Sequence, residues 1–470
     1  MLFNSISFLI FFIIFYIFYS VLNYRKQNLL LLAAGTVFYS WWNWKMSFLL
    51  GATILGNYYV GQRLYISEKR KKTFVTAVIL NLSVLFVYKY AVFSIQSWND
   101  LVSFLGKNGG KIAVPEILLP VGISFYTFHN ISYIADVYFR KIKPAENLLT
   151  YAVYDLFFPL LLSGPIERAE KLVPQIESSR HLSEKKTLSG ILLFSYGLMK
   201  KSFIADHLSV YSDYALRPGM SIPDGLVWWT AFCFAFYVYA DFSGYTDMAR
   251  GLARILGFEL SLNFQFPFLS KSPSEFWTRW HMSLSSWLRD YVYIPLGGNR
   301  LGILRQYLNL MTVWTLGGLW HGATYGYLIW GIYCGIQTVI SHSVQLCWEK
   351  SGLPFRRNMY TDIIFILYTF FQFGLGLLLF RVENGSHLMY FIRNMGGVYF
   401  HGESFFRIMF FILPILITEY YQFRTGDIQL EETENSPKST ALSFVYLQLM
   451  FFIFCLFAAF EKKEFFYFQF

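Results

Sequence analysis

An imidazole is the side chain best suited to take up and return a proton near neutral pH, and this sequence places several in apolar settings. The first stretch is TLGGLWHGATYGYLIWG, Thr315 to Gly331, which carries His321. It lies in a run from Gln306 to Trp348 that contains no Lys, Arg, Asp or Glu. Such a run is long enough for two bilayer crossings at roughly 20 residues each. Polar groups placed there face a partner or a cavity rather than lipid. The neighbouring Gly317, Gly318 and Gly322 also permit close helix packing. Residue types alone therefore leave His321 open between a packing residue and a proton-transfer group.

The second stretch is SEFWTRWHMSLSSWLRDYVYIPLGGNR, Ser274 to Arg300. On one helix, Trp277, Trp280, His281, Leu284, Trp287, Leu288 and Tyr291 would share a face, opposite Arg279, Ser283, Ser286, Arg289 and Asp290. That pattern reads first as an interfacial amphipathic helix anchored by tryptophans, with His281 on its aromatic side. PLGGNR after it is a turn by composition.

A third stretch, FYVYADFSGYTDMARG, Phe236 to Gly251, sets Asp241 directly after the apolar run 226–240. A carboxylate at membrane depth needs a partner such as Arg or His. The alternative is a helix end whose aspartates cap the next helix. In LPVGISFYTFHNISYIADVYF, Leu119 to Phe139, His129 reads as a hydrogen-bonded packing residue. In FFPLLLSGPIERAEKLVPQ, Phe157 to Gln175, the Gly164-Pro165 step breaks a span. A helix broken at membrane depth usually lines a cavity. The chain shows no Ser-centred nucleophile elbow, no His-Glu metal spacing and no phosphate-cradling glycine loop, so no metal or tightly bound cofactor is expected. A histidine base inside the membrane is the best candidate for chemistry.

The elements that must position these residues are membrane helices. Of 470 residues, 55% are hydrophobic and 14% charged, with a mean hydropathy of +0.40. A soluble protein carries about a quarter charged residues. Apolar runs are continuous over helix-spanning lengths, which excludes a β-barrel. The expected class is all-α, a polytopic integral membrane protein of one domain, residues 1–470, with about eleven spans plus re-entrant and amphipathic helices. Apolar segments fall near 5–22, 28–43, 46–65, 74–95, 117–134, 150–163, 190–206, 226–242, 307–321, 323–345, 361–380, 405–421 and 441–460. The first is read as a retained span, because it lacks a basic n-region and a cleavage site.

The net charge of +10 sits in short clusters between apolar runs, a topology signal and not a nucleic-acid one. Arg25-Lys26, Lys69 to Lys72 and Arg140 to Lys143 follow the first, third and fifth apolar segments. Alternation places all three on the cytoplasmic side and the N-terminus outside. The four cysteines have no metal-ligand spacing. The segment Asp427 to Lys438 is polar and loop-like.

Taken in order, LPVGISFYTFHNISYIADVYF, SGPIER, DFSGYTDMARG, FWTRWHMSLSSWLRDYVYIPLGGNR and LGGLWHGATYGYLIWG resemble the membrane-bound O-acyltransferase family. More narrowly they resemble its bacterial alginate and polysaccharide O-acetylation branch, which the C-terminal FFYFQF also fits. The matching words span about Leu119 to Trp330, within a motif-rich core of about 117–345. SGPIER differs from the more common version in having Glu167 before Arg168, which bears on loop contacts. The resemblance implies a bundle of helices around a tunnel in the bacterial cytoplasmic (inner) membrane, and transfer of an acyl group from a coenzyme A thioester, here acetyl-CoA, to a hydroxyl. It makes His321 the general base and His281 the second catalytic histidine. Asp241, Trp280, Arg289 and Trp320 fall on the substrate side. It implies an exported polysaccharide acceptor and an extracytoplasmic acetyltransferase partner protein. Alternatives are D-alanyl transfer to teichoic acid, acetyl transfer to peptidoglycan, or a proton-coupled transporter or flippase.

Overall fold

The computed structural model describes residues 1–425 except 107–109, 163, 217–222, 224, 353–357, 398 and 400. The apolar run 441–460, the polar segment 427–438 and FFYFQF therefore lie outside the described residues. The described residues form helices and turns without a strand. Contacts divide the chain into two compact units, Met1–Leu182 with Leu256–Leu260, and Ser183–Ile255 with the chain from Ser261.

The first unit contains α1 (Ile6–Val21), α2 (Tyr24–Ile66), α3 (Arg70–Leu85), α4 (Ala91–Phe104), α5 (Ile123–Tyr138), α6 (Leu148–Asp155) and α7 (Ala169–Glu177). The 43 residues of α2 are not one rod. Asn43 is non-helical at φ −157°, ψ 107°. Across it the Ser40 and Ser47 hydroxyls approach to 2.8 Å. Seven residues of straight helix would hold them about 10 Å apart at 1.5 Å per residue. α2 is therefore a hairpin, and the two apolar segments 28–43 and 46–65 are its arms. Its apex exposes Trp41, Trp42 and Trp44, residues that suit a membrane–water interface.

Two of the three basic clusters meet. Arg70 donates to the carbonyls of Leu64 and Tyr138, and Arg140 lies over the Tyr65 ring, so the loops 69–72 and 140–143 share one end of the unit. α5 starts at Gly122, whose φ of +73° is left-handed. A side chain there would also strike the Leu161 carbonyl at 2.5 Å. The apolar segment 150–163 is helical only to Asp155. The break thus comes earlier than Gly164-Pro165, and the buried turns that follow are filled by Phe157 and Phe158.

The second unit contains α8 (Glu184–Met199), α9 (Asp206–Leu216), α10 (Leu226–Ile255), α11 (Pro273–Arg279), α12 (Met282–Leu288), α13 (Ile303–His321), α14 (Tyr325–Ser351), α15 (Met359–Phe380), α16 (Gly385–Arg393) and α17 (Gly402–Thr425). α10 is its axis. Small residues let α8 cross it closely: a Cβ on Gly197 would lie 2.4 Å from the Gly244 carbonyl oxygen, and one on Gly251 2.6 Å from that of Gly190.

Among the described residues, four helical runs are long and apolar enough to cross a membrane: Arg70–Phe104, Leu226–Ile255, Met359–Phe380 and Gly402–Arg424. Their environments differ. In Arg70–Phe104 only 11% of the apolar window is buried, as for a helix facing lipid, whereas in α10 it is 78%, as for one enclosed by protein. The figure of about eleven spans is not reached by this measure. The arms of α2, α13 and α14 have the length, but their Tyr, Trp and Gly content lowers mean hydropathy.

Candidate active site

The segment carrying His281 is where sequence and structure differ most. It is not one amphipathic helix. α11 ends at Arg279, Trp280 is extended at φ −108°, and His281 takes the left-handed conformation at φ 43°, ψ 53° before α12 begins. A non-glycine residue held there costs about 1–2 kcal/mol, so the surroundings must impose it. Asn263 does so: its carbonyl accepts from the Met282 N–H at 2.9 Å. Its side-chain oxygen takes the Ser283 N–H at 3.2 Å and the Ser283 hydroxyl at 2.8 Å. Ser283 is buried in consequence, although the single-helix reading placed it on the charged face. The bend turns Trp280 and His281 inward together, at 4% and 2% exposure.

Trp280 packs between Phe264 (centroids 5.0 Å apart), Phe276 (5.5 Å) and Phe373 of α15 (4.9 Å). The His281 ring meets the edge of Phe242 on α10 at 4.7 Å.

His321 comes from another direction, as the last residue of α13. Gly322 continues in extended conformation, and Thr324 caps α14. α13 and α14 touch backbone to backbone at this end. A Cβ on Gly318 would lie 2.3 Å from the Tyr327 carbonyl oxygen, and one on Gly322 would fall 2.1 Å from the Tyr327 ring. The contact is possible only for glycine, and it sets His321 beside the start of α14. Around the imidazole stand Trp320 (5.0 Å), Trp330 (5.1 Å, perpendicular) and Phe380 (5.4 Å).

The two histidines, 40 residues apart in sequence, come to lie with ring centroids 6.5 Å apart. Trp320 lies against both, 5.6 Å from His281 and 5.0 Å from His321. His321 is 7% exposed. The result is two imidazoles in an enclosure of aromatic rings, with bulk water largely excluded. In such an enclosure dipoles act in a low dielectric.

The match to the model of MBOAT, the membrane-bound O-acyltransferase family, covers residues 6–382. The chain belongs to this family. Among its relatives, "Probable alginate O-acetylase AlgI" of Pseudomonas aeruginosa is 38% identical over 389 residues, 82% of this chain and 72% of the relative. "Peptidoglycan O-acetyltransferase" of Helicobacter pylori is 30% identical over 433 residues, 85% and 80% of the two chains. "Teichoic acid D-alanyltransferase" of Bacillus subtilis is 30% identical over 281 residues, 57% and 70%. The protein is thus a membrane-bound O-acyltransferase, multi-pass and all-helical.

The remaining residues singled out from sequence are distributed as follows. Asp241 is fully buried in the middle of α10, which runs on unbroken to Ile255, so it does not cap a following helix. Its cationic partner is a lysine: Lys201 Nζ lies 2.6 Å from Asp241 Oδ1. Arg289 opens a π-helical turn, Arg289–Tyr293. Its side chain is 63% exposed and paired with the adjacent Asp290 at 2.8 Å. His129 belongs to the first unit. There its Nε2 accepts the Glu167 N–H at 3.2 Å and its ring stacks on Tyr154 at 5.4 Å. It ties α5 to the GPIER turn, as its packing interpretation requires.

Sequence reasoning missed Lys201, Asn263 and Phe380. Lys200-Lys201 sits inside the apolar run 190–206, and a charge in such a place was a usable signal. Nothing local marks Asn263 or Phe380, whose roles depend on contacts distant in sequence.

Proposed function

We propose that this O-acyltransferase moves an acetyl group from a cytoplasmic donor, acetyl-CoA, to hydroxyls of an exported polysaccharide, with His321 as general base. The observation that carries the reading is the buried pair of imidazoles, His281 and His321, with centroids 6.5 Å apart inside an aromatic enclosure. In the reaction the acceptor oxygen attacks the thioester carbonyl carbon while His321 takes its proton. The new C–O ester bond forms, the C–S bond breaks, and the imidazolium returns the proton to the departing thiolate. Proton transfer of this kind contributes about 10²–10⁴-fold. Holding donor and acceptor together contributes more, up to about 7–11 kcal/mol of the barrier. His281, across the enclosure, orients the acyl carbonyl. Trp280 and Trp320 shape the walls, and Arg289, exposed beside the site segment, takes the donor's anionic groups.

The acceptor hydroxyl belongs to the polymer or to an extracytoplasmic partner protein that relays the acetyl group. The enzyme works in the bacterial inner membrane. Acetate is favoured over D-alanine because the match to O-acetylating relatives spans more of the chain than the match to the D-alanyltransferase. The test is His321→Ala, with normal membrane abundance confirmed. Ester-linked acetate on the cell-surface polymer should fall at least 100-fold, and unchanged acetate removes His321 from the chemistry. Mild base release followed by identification of the acid decides the acyl group, and D-alanine in that fraction overturns the acetyl reading.

A further inference from the structure

A buried ionic cluster adjoins the histidine pair in the second unit. Lys200 and Lys201 open a π-helical run, Lys200–Ala205, between α8 and α9. π-turns inside helices are frequent at functional sites, and here both lysines reach α10. Lys200 Nζ is 2.7 Å from Asp247 Oδ2. Lys201 Nζ is 2.6 Å from Asp241 Oδ1 and 2.9 Å from Asp206 Oδ1, with all three side chains at most 3% exposed. Around them, Arg250 lies 3.6 Å from Asp247, and Tyr239 donates its hydroxyl to Glu419 of α17. Desolvating so many charges is costly, and well-packed apolar residues would serve stability as well. The arrangement calls for a role in placement.

What it places is visible along α10. Asp241 is flanked by Tyr239, whose ring packs against Trp280 at 5.8 Å, and by Phe242, whose ring meets His281 at 4.7 Å. The cluster grips the other side of the same turn, where Gly244 lies against the backbone of Lys201. We propose that Lys201 is a positioning residue for acyl transfer: by bridging Asp241 and Asp206 it fixes the turn of α10 whose Tyr239 and Phe242 rings hold the Trp280-His281 bend. This rests on the reading of His281 and His321 as the reacting pair. Lys201 itself touches no substrate. It acts through α10.

The experiment uses membrane vesicles holding the full chain and its export machinery, with labelled acetyl-CoA as the donor probe. Rates of ester formation are divided by the amount of folded enzyme. Lys201→Met should lower kcat at least 10-fold with the KM for acetyl-CoA changed less than twofold, and Lys201→Arg should restore a substantial part of kcat. Because unpaired buried carboxylates destabilise the fold, the neutral triple variant Lys201→Met, Asp206→Asn, Asp241→Asn is measured beside it. Its abundance should recover while kcat stays low. A triple variant with wild-type kcat overturns the proposal and leaves the cluster as charge compensation only. So does Lys201→Met with normal kcat per folded molecule. His321→Ala in the same vesicles keeps the two ideas separate, since its activity tests the reacting pair whatever Lys201 does.

Discussion

Gly317 and Gly318 are adjacent in sequence and should respond oppositely to the same substitution. A methyl group on Gly317 would meet only the Leu288 Cδ1 atom at 3.4 Å, an ordinary contact. One on Gly318 would lie 2.3 Å from the Tyr327 carbonyl oxygen and 2.9 Å from the Gly331 Cα. Relief to a normal separation of roughly 3.4 Å requires α13 and α14 to part by about 1 Å. Alanine is the better helix former by about 1 kcal/mol, but overpacking against backbone costs about 1–3 kcal/mol. Gly318→Ala should therefore be destabilising on balance, by up to about 2 kcal/mol. If His321 is the base proposed above, the larger effect is on chemistry, because it is three residues further along α13 while Trp330 stands on α14. A displacement of 1 Å in a reacting group can cost about 10²-fold. The assay is acetyl transfer per folded enzyme, with thermal unfolding of the detergent-solubilised protein measured in parallel. Gly317→Ala should keep activity within about twofold and unfold no earlier than the unmodified protein. If Gly318→Ala matches Gly317→Ala in both respects, the glycine contact does not set the position of His321.

Two further outcomes test the first unit. The approach of Ser40 and Ser47 across the Asn43 bend predicts that Ser40→Cys with Ser47→Cys forms a disulfide under mild oxidation. The chain already carries four cysteines, so intact-mass measurement showing all six thiols of the double variant still free after oxidation would mean that the arms of α2 do not fold back. His129→Ala removes the acceptor for the buried Glu167 N–H and should destabilise by about 1–3 kcal/mol. Its kcat per folded molecule should be unaltered, and a large fall in kcat would overturn the packing role of His129.

The sequence by itself determined the class and the words of the site. Continuous apolar runs can be satisfied in a bilayer only as helices, because unpaired backbone groups have no water to bond. That reasoning needs no tertiary information. It also separated the arms of α2, as the apolar segments near 28–43 and 46–65. The conspicuous histidines were equally legible, because a polar side chain in an apolar run stands out one residue at a time.

What only the tertiary structure decided are the relations between those residues. The bend at His281 could not be read from its own segment, whose periodicity fits an unbroken helix. It is imposed by Asn263, 18 positions earlier, whose oxygens accept from Met282 and Ser283. The sequence calls for a cationic partner of a buried Asp241 without naming it, and that partner is Lys201, 40 positions away on a π-helical turn. No spacing rule links residues on different helices, because which faces meet is fixed by where small residues let backbones approach. For His321 that place is the crossing of α13 and α14 at Gly318. The pairing of two imidazoles is a product of that packing, and it is the packing that makes the two words one site.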